Sequence, residues 1–167
     1  MSKKNVLYVI GLAALMSSAA LAGSASANLT PSTTITNNCV ITGGSLNFSS
    51  YDPLGGAAVT GNTTFAIQCT NLMTAPNVLL NQGLNDNTGT LAAPARRLIA
   101  TVGETPYYLN YNLYSDTFTT VWEGVTGVTS PTPNGTAQNM TVYGKIASGQ
   151  NVPAGTYSDT VVISVNF

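Results

Sequence analysis

The stretch Gly155–Phe167 constrains this chain most. Tyr157, Val161, Ile163, Val165 and Phe167 alternate with Ser158, Thr160, Ser164 and Asn166, and only Val162 breaks the pattern. Period two reads as a half-buried β-strand, introduced by a turn at Pro153 and Gly155. It runs to the final residue. An apolar strand in that position needs a neighbour on each side, or it leaves a hydrogen-bonding edge open.

The rest of the chain carries similar but shorter signals. Thr63–Cys69 sets Phe65, Ile67 and Cys69 against Thr64, Ala66 and Gln68. Tyr107, Leu109, Tyr111 and Leu113 share one face of Tyr107–Tyr114, and Met140, Val142, Gly144 and Ile146 share one face of Met140–Ile146. Ser45–Phe48, Val78–Leu80 and Arg97–Ala100 are briefer strand candidates. Gly124–Gly135, with Pro131 and Pro133, reads as a long flexible connection. No stretch beyond the N-terminal segment sustains a helical period. Short strands punctuated by Gly, Pro and Asn predict an all-β fold, a single β-sandwich of two antiparallel sheets.

The N-terminus reads as a leader rather than part of that fold. Lys3 and Lys4 precede an apolar run from Val6 to Leu15, and Ala25-Ser26-Ala27 fits a secretory cleavage site. The expected divisions are a signal peptide over 1–27, an N-terminal extension over 28–38 and the sandwich over 39–167. The apolar run is too short for a membrane anchor, and no later stretch looks membrane-spanning. After the leader, Arg96, Arg97 and Lys145 stand against Asp52, Asp86, Glu104, Asp116, Glu123 and Asp159. That balance offers no basic patch to nucleic acid or anionic lipid.

The two cysteines, Cys39 and Cys69, both follow the leader. In an exported chain an even count predicts a disulfide. A loop of this length is stabilised by about 3–4 kcal/mol in the chain-entropy picture. A metal pair would need further ligands, and the chain has no histidine. The extension before Cys39 carries Leu29, Pro31, Thr33 and Ile35 at alternate positions. It reads equally as an extended segment or as an unstructured lead-in.

Catalytic chemistry is hard to find. Without histidine there is no serine-triad base, the carboxylates are scattered singly, and no glycine-rich phosphate loop or calcium loop is present. No enzyme activity and no cofactor are expected. Arg96-Arg97 reads as a strand-edge pair meeting Glu104 or Asp116, with a grip on a sugar acid or a partner's carboxylate as its functional alternative. Tyr107, Tyr108, Tyr111, Tyr114 and Trp122 could make a sugar-binding platform, but alternation divides the tyrosines between two faces.

Several of these residues also form an ordered pattern. Cys39, Leu46-Asn47-Phe48, Tyr51-Asp52-Pro53, Cys69, Arg96-Arg97-Leu98, Leu109–Tyr114, Trp122, Val142-Tyr143-Gly144 and Gly155-Thr156-Tyr157-Ser158-Asp159-Thr160 follow one another along the chain. Together they resemble the spore coat protein U domain family, which includes pilins of archaic chaperone–usher pili. Ser49 and Glu123 stand where that family usually carries glycine.

The resemblance implies an incomplete immunoglobulin-like sandwich that lacks its last strand. A periplasmic chaperone fills the gap first. The N-terminal extension of the next subunit then replaces it at an outer-membrane usher, by strand addition. On this chain the donor residues would be Leu29, Thr33 and Ile35, and Val161, Ile163, Val165 and Phe167 would line the acceptor groove. The expected function is a structural pilin serving adhesion and biofilm formation, exported to the periplasm and then the cell surface. Its expected partners are the chaperone, the usher and neighbouring subunits in a filament. The alternatives are a secreted, self-contained spore-coat or cell-envelope protein and a carbohydrate-binding module.

Overall fold

The computed structural model describes residues 23–167, so the signal-peptide expectation lies largely outside the described residues. The chain divides between Thr34 and Ile35 into two units. In the first, residues 23–34 carry no helix or strand. The second, Ile35–Phe167, holds eight strands: β1 Cys39–Thr42, β2 Val59–Cys69, β3 Asn77–Leu80, β4 Arg97–Val102, β5 Thr105–Tyr114, β6 Val128–Thr129, β7 Gln138–Ile146 and β8 Ile163–Asn166. No described helix is long and apolar enough to cross a membrane.

Two sheets form. One has five strands in the order β1-β2-β7-β5-β4; the other has three, β6-β3-β8. All pairings are antiparallel. The alternation sends one face of each long strand inward. Phe65 and Ile67 of β2, Leu109, Tyr111 and Leu113 of β5, and Met140, Val142 and Ile146 of β7 are buried together. From the short sheet come Val78 and Leu80 of β3, and Trp122 fills the space beside Phe65, with ring centroids 5.8 Å apart.

Strand boundaries depart from expectation where pairing, not pattern, decides. The strand expected at Thr63–Cys69 extends back to Val59, because β7 offers partners from Gln138 through Ile146. Within the connection expected over Gly124–Gly135, Val128 and Thr129 pair with β3. Ser45–Phe48 is not a strand, and the C-terminal stretch is one only over Ile163–Asn166. The disulfide Cys39–Cys69 is formed and joins residues that face each other in the β1–β2 ladder.

The arginine pair has a different role from the one expected. Arg96 is 1 % exposed, and its partners are backbone carbonyls rather than Glu104 or Asp116. Nε donates to Asn81 O at 2.9 Å; Nη2 donates to Leu80 O at 3.0 Å, Asn81 O at 2.7 Å and Trp122 O at 2.9 Å. One guanidinium thus ties the end of β3 to the loop carrying Trp122, whose Nε1 donates to Val78 O at 2.8 Å. Burial pulls the Arg96 pKa down, and the nearby Tyr111, Asp159, Asp86 and Glu123 oppose that shift. Arg97 instead donates to Asn85 O and Asp86 O and stacks over the Tyr108 ring at 4.0 Å.

Glu123 organises the next loop. Its carboxylate accepts from the N–H groups of Val125, Thr126 and Gly127 and from the Thr126 hydroxyl. Burial pushes its pKa up, but the Thr126 hydroxyl and the three N–H donors outweigh that and leave it lowered.

Two measurements test this framework. Arg96→Met fills similar space but leaves three buried carbonyls without a donor, and is expected to cost about 3–5 kcal/mol in urea unfolding. For Glu123, a folded pKa below the unfolded one gives stabilisation fully present above the unfolded value and lost as pH falls through the folded one. The stability advantage of wild type over Glu123→Gln is therefore expected to hold at neutral pH and to vanish in acid; a pH-independent difference would contradict the assignment.

Candidate functional site: an open groove beside the last strand

The C-terminal stretch passes from one sheet to the other. Ser158 exchanges backbone hydrogen bonds with Ile99 of β4, at 2.9 and 3.0 Å. Thr160 O then accepts from Leu84 N, and Val162 O accepts from Asn81 N. Val162 N donates to the Asn81 side chain at 2.9 Å. Finally β8 pairs with β3, Ile163 opposite Leu80 and Val165 opposite Val78. Among the described residues β3 is the only strand beside β8, so the other long edge of β8 is open within its sheet.

A groove of about 870 Å³ reaches this strand at Ile163. Its floor is core: Phe65, Leu109, Tyr111, Val142 and Ile146 contribute to the wall. One side is formed by Val152–Val161 and Ile163, the other by Gly44–Tyr51. The Gly44–Tyr51 segment holds no strand pairing, yet Leu46, Phe48 and Tyr51 pack against the core. It lies close on β2 and β7 because glycines lie beneath it. A Cβ on Gly144 would come within 2.7 Å of the Phe48 ring and 3.0 Å of Leu46. A Cβ on Gly61 would stand 3.0 Å from Asn47 O.

Polar groups fix the groove side rather than reaching out for a ligand. Asp159 accepts from Leu84 N and Asn85 Nδ2, both at 3.0 Å, and from the Tyr111 hydroxyl at 2.7 Å. Burial pushes the Tyr111 pKa up strongly, and the bond to Asp159 adds to the shift, so the phenol stays neutral. Gly83, at φ +82°, is required here, since any Cβ would collide with the Asp159 carboxylate. Among the described residues, no group of three or more His, Cys, Asp or Glu could hold a metal ion. An apolar floor flanked by a free strand edge is suited to an extended polypeptide, which supplies both main-chain partners and alternate side chains.

The structure places the expected site residues unevenly. Val161 and Ile163 line the groove. Val165 packs half-buried against the core, whereas Phe167 is 62 % exposed. Leu29 and Ile35 are 91 % and 82 % exposed, and Thr33 is exposed as well. Sequence reasoning missed the Gly44–Tyr51 wall as part of a site; the signal was Leu46 and Phe48 alternating beside Gly43-Gly44. It also missed Asp159, whose neighbours come from distant parts of the chain.

Comparisons with known proteins agree with this fold. In the solved structure of a chaperone–tip adhesion subunit pre-assembly complex from archaic chaperone–usher Csu pili of Acinetobacter baumannii, one chain is similar at a TM-score of 0.53 and 24 % identity. The match covers 80 % of this chain and 40 % of that one, and it shows a shared fold. Protein U of Myxococcus xanthus is 37 % identical over 177 aligned residues, covering 99 % of this chain and 98 % of that protein. The family model of the spore coat protein U domain matches residues 25–164, and the chain belongs to that family.

Proposed function

We propose that this chain is a structural pilin subunit of a chaperone–usher pilus, completed by an extended strand laid into the groove beside β8. The open edge of β8 over an uncovered core floor is the observation that carries this reading. A periplasmic chaperone fills the groove first, and the extension of a neighbouring subunit replaces it at the usher. Each subunit then donates at one end and accepts at the other, and a head-to-tail contact of that kind propagates as a filament. The filament serves adhesion and biofilm formation at the cell surface.

Within the donor, Leu29, Thr33 and Ile35 share a parity, so an extended backbone points all three to one side. From Leu29 to Ile35 the reach is about 20 Å. A buried aliphatic anchor contributes about 1.5–3 kcal/mol, so two large anchors alone give a modest apolar term, and main-chain pairing along β8 supplies the remainder. A self-contained spore-coat or envelope protein is the second reading, favoured by the end-to-end match to Protein U.

Removing Asn28–Ile35 is expected to leave a folded, chaperone-bound subunit that does not polymerise. SDS-resistant ladders, run without boiling, measure this; normal ladders from the truncated chain would overturn the donor assignment. Wild-type protein that stays monomeric and folded without a chaperone would favour the second reading. Cys39→Ser is expected to lower the yield of folded subunit, because it releases the start of β1; an unchanged yield would show that the four-pair β1–β2 ladder suffices.

A further inference from the structure

The opposite face of the five-stranded sheet carries a second arrangement. Along β5 the odd positions point into the core, and the even ones, Tyr108, Asn110, Asn112 and Tyr114, point away from it. Lys145 and Tyr143 of β7 stand directly opposite Asn112 and Tyr114. Beside them Phe118 packs edge-on against Tyr114, with centroids 5.7 Å apart, and against Tyr143 at 6.2 Å. Lys145 Nζ lies 5.7 Å from the Phe118 ring. All of these rings remain partly open to solvent.

Next to them opens a hollow of about 430 Å³, with Arg96, Asn110, Tyr111, Asn112, Tyr114 and Lys145 in its wall. Phe118 is held beside it at φ 72°, a conformation uncommon for a bulky residue. The Asp116 carboxylate enforces that turn by accepting from Thr119 N and Thr120 N, at 2.8 and 2.9 Å. A large ring kept out of the core in an unfavourable backbone conformation points to a task at the surface.

We propose that this face binds an acidic polysaccharide, a linear chain bearing uronic-acid carboxylates. Tyr114 and Phe118 offer aromatic surface to the C–H faces of a sugar ring. Asn110 and Asn112 offer a donor and an acceptor each to ring hydroxyls. Lys145 brings a positive charge into the wall of the hollow, and Arg97, stacked on Tyr108, brings a second beside it, directly opposite Asn110. The nearby carboxylates are turned to backbone donors and form no ion pair with those cations. Asp86 is engaged by Gly89 N and Ala95 N, and Asp116 by its own turn. Tyr108 and Tyr114 are six residues apart along the strand, about 20 Å, which suits a short run of an extended polymer better than a single sugar. Tyr111 lines both the groove and the hollow, but Asn112, Tyr114 and Lys145 line the hollow alone, so substitutions at these three separate the two sites.

The test uses the full chain, as isolated monomer or assembled fibre, in affinity electrophoresis through gels containing polygalacturonate, with calorimetric titration by oligogalacturonate and by a neutral malto-oligosaccharide. Wild type is expected to be retarded by polygalacturonate and to bind oligogalacturonate at least tenfold more tightly than the neutral chain. Phe118→Ala and Tyr114→Ala are expected to weaken binding at least tenfold, and Lys145→Gln at least threefold at low salt, with thermal midpoints within a few degrees of wild type. Should either alanine variant fold poorly, Lys145→Gln and Asn112→Ala at the rim decide the matter. Absence of retardation, equal affinity for the neutral chain, or unchanged binding by these variants would overturn the proposal. Binding abolished by deletion of Asn28–Ile35 but not by these substitutions would also overturn it.

Discussion

Five strands face three in this fold, and the rest of the structure follows from that mismatch. A β-sandwich is stable when each sheet covers the apolar face of the other. Here the inward residues of β2, β5 and β7 make a wider apolar surface than β6, β3 and β8 can cover. The groove and the unpaired edge of β8 therefore meet at Ile163, uncovered core beside unmet hydrogen bonding. A strand added at that place meets both needs together. A small ligand would meet only the first.

An open core would collapse or rearrange if nothing else held its walls. The holding elements are polar and come from loops. Arg96 gathers carbonyls from Leu80, Asn81 and Trp122. Asp159 collects Leu84, Asn85 and Tyr111. Hydrogen bonds to charged groups are worth about 1.5–3 kcal/mol each, more than neutral ones. Spending them on the region between β3, β4 and the C-terminal stretch keeps the groove side in place before anything fills it. Preorganisation of this kind lowers the ordering cost of filling such a groove.

Much of the fold was legible because period two is a local signal. The inward sets Phe65–Ile67, Leu109–Leu113 and Met140–Ile146 are those that the alternation picks out, and each is buried as read. Elements whose existence depends on a partner were not legible. β6 is two residues long and exists because β3 has an edge to offer. Ser45–Phe48 has the pattern of a strand without its pairing; its Leu46 and Phe48 still turn inward, as the alternation requires. Arg96 illustrates the same limit. A pair of adjacent arginines reads as exposed charge, yet the carbonyls that bury one of them lie 15 to 26 residues away in the chain. In the groove, Val161 and Ile163 were readable from alternation, whereas the Asp159 network and the Gly44–Tyr51 wall were not, since both depend on contacts between distant segments.

The disulfide sits at the point where these themes meet. Cys39 opens β1, so anything acting on the residues before it reaches the domain through a four-residue strand at the sheet edge. A terminal pull on such an edge strand would open its ladder one pair at a time. The Cys39–Cys69 bond lies at the first pair of that ladder and passes the force directly to β2. β2 is an interior strand, held to β7 along nine consecutive pairs from Val59–Ile146 to Ile67–Gln138. Force entering at Cys39 would therefore reach the central sheet without first breaking β1. The covalent link stabilises the domain through its loop, and its position ties the start of β1 to the end of β2.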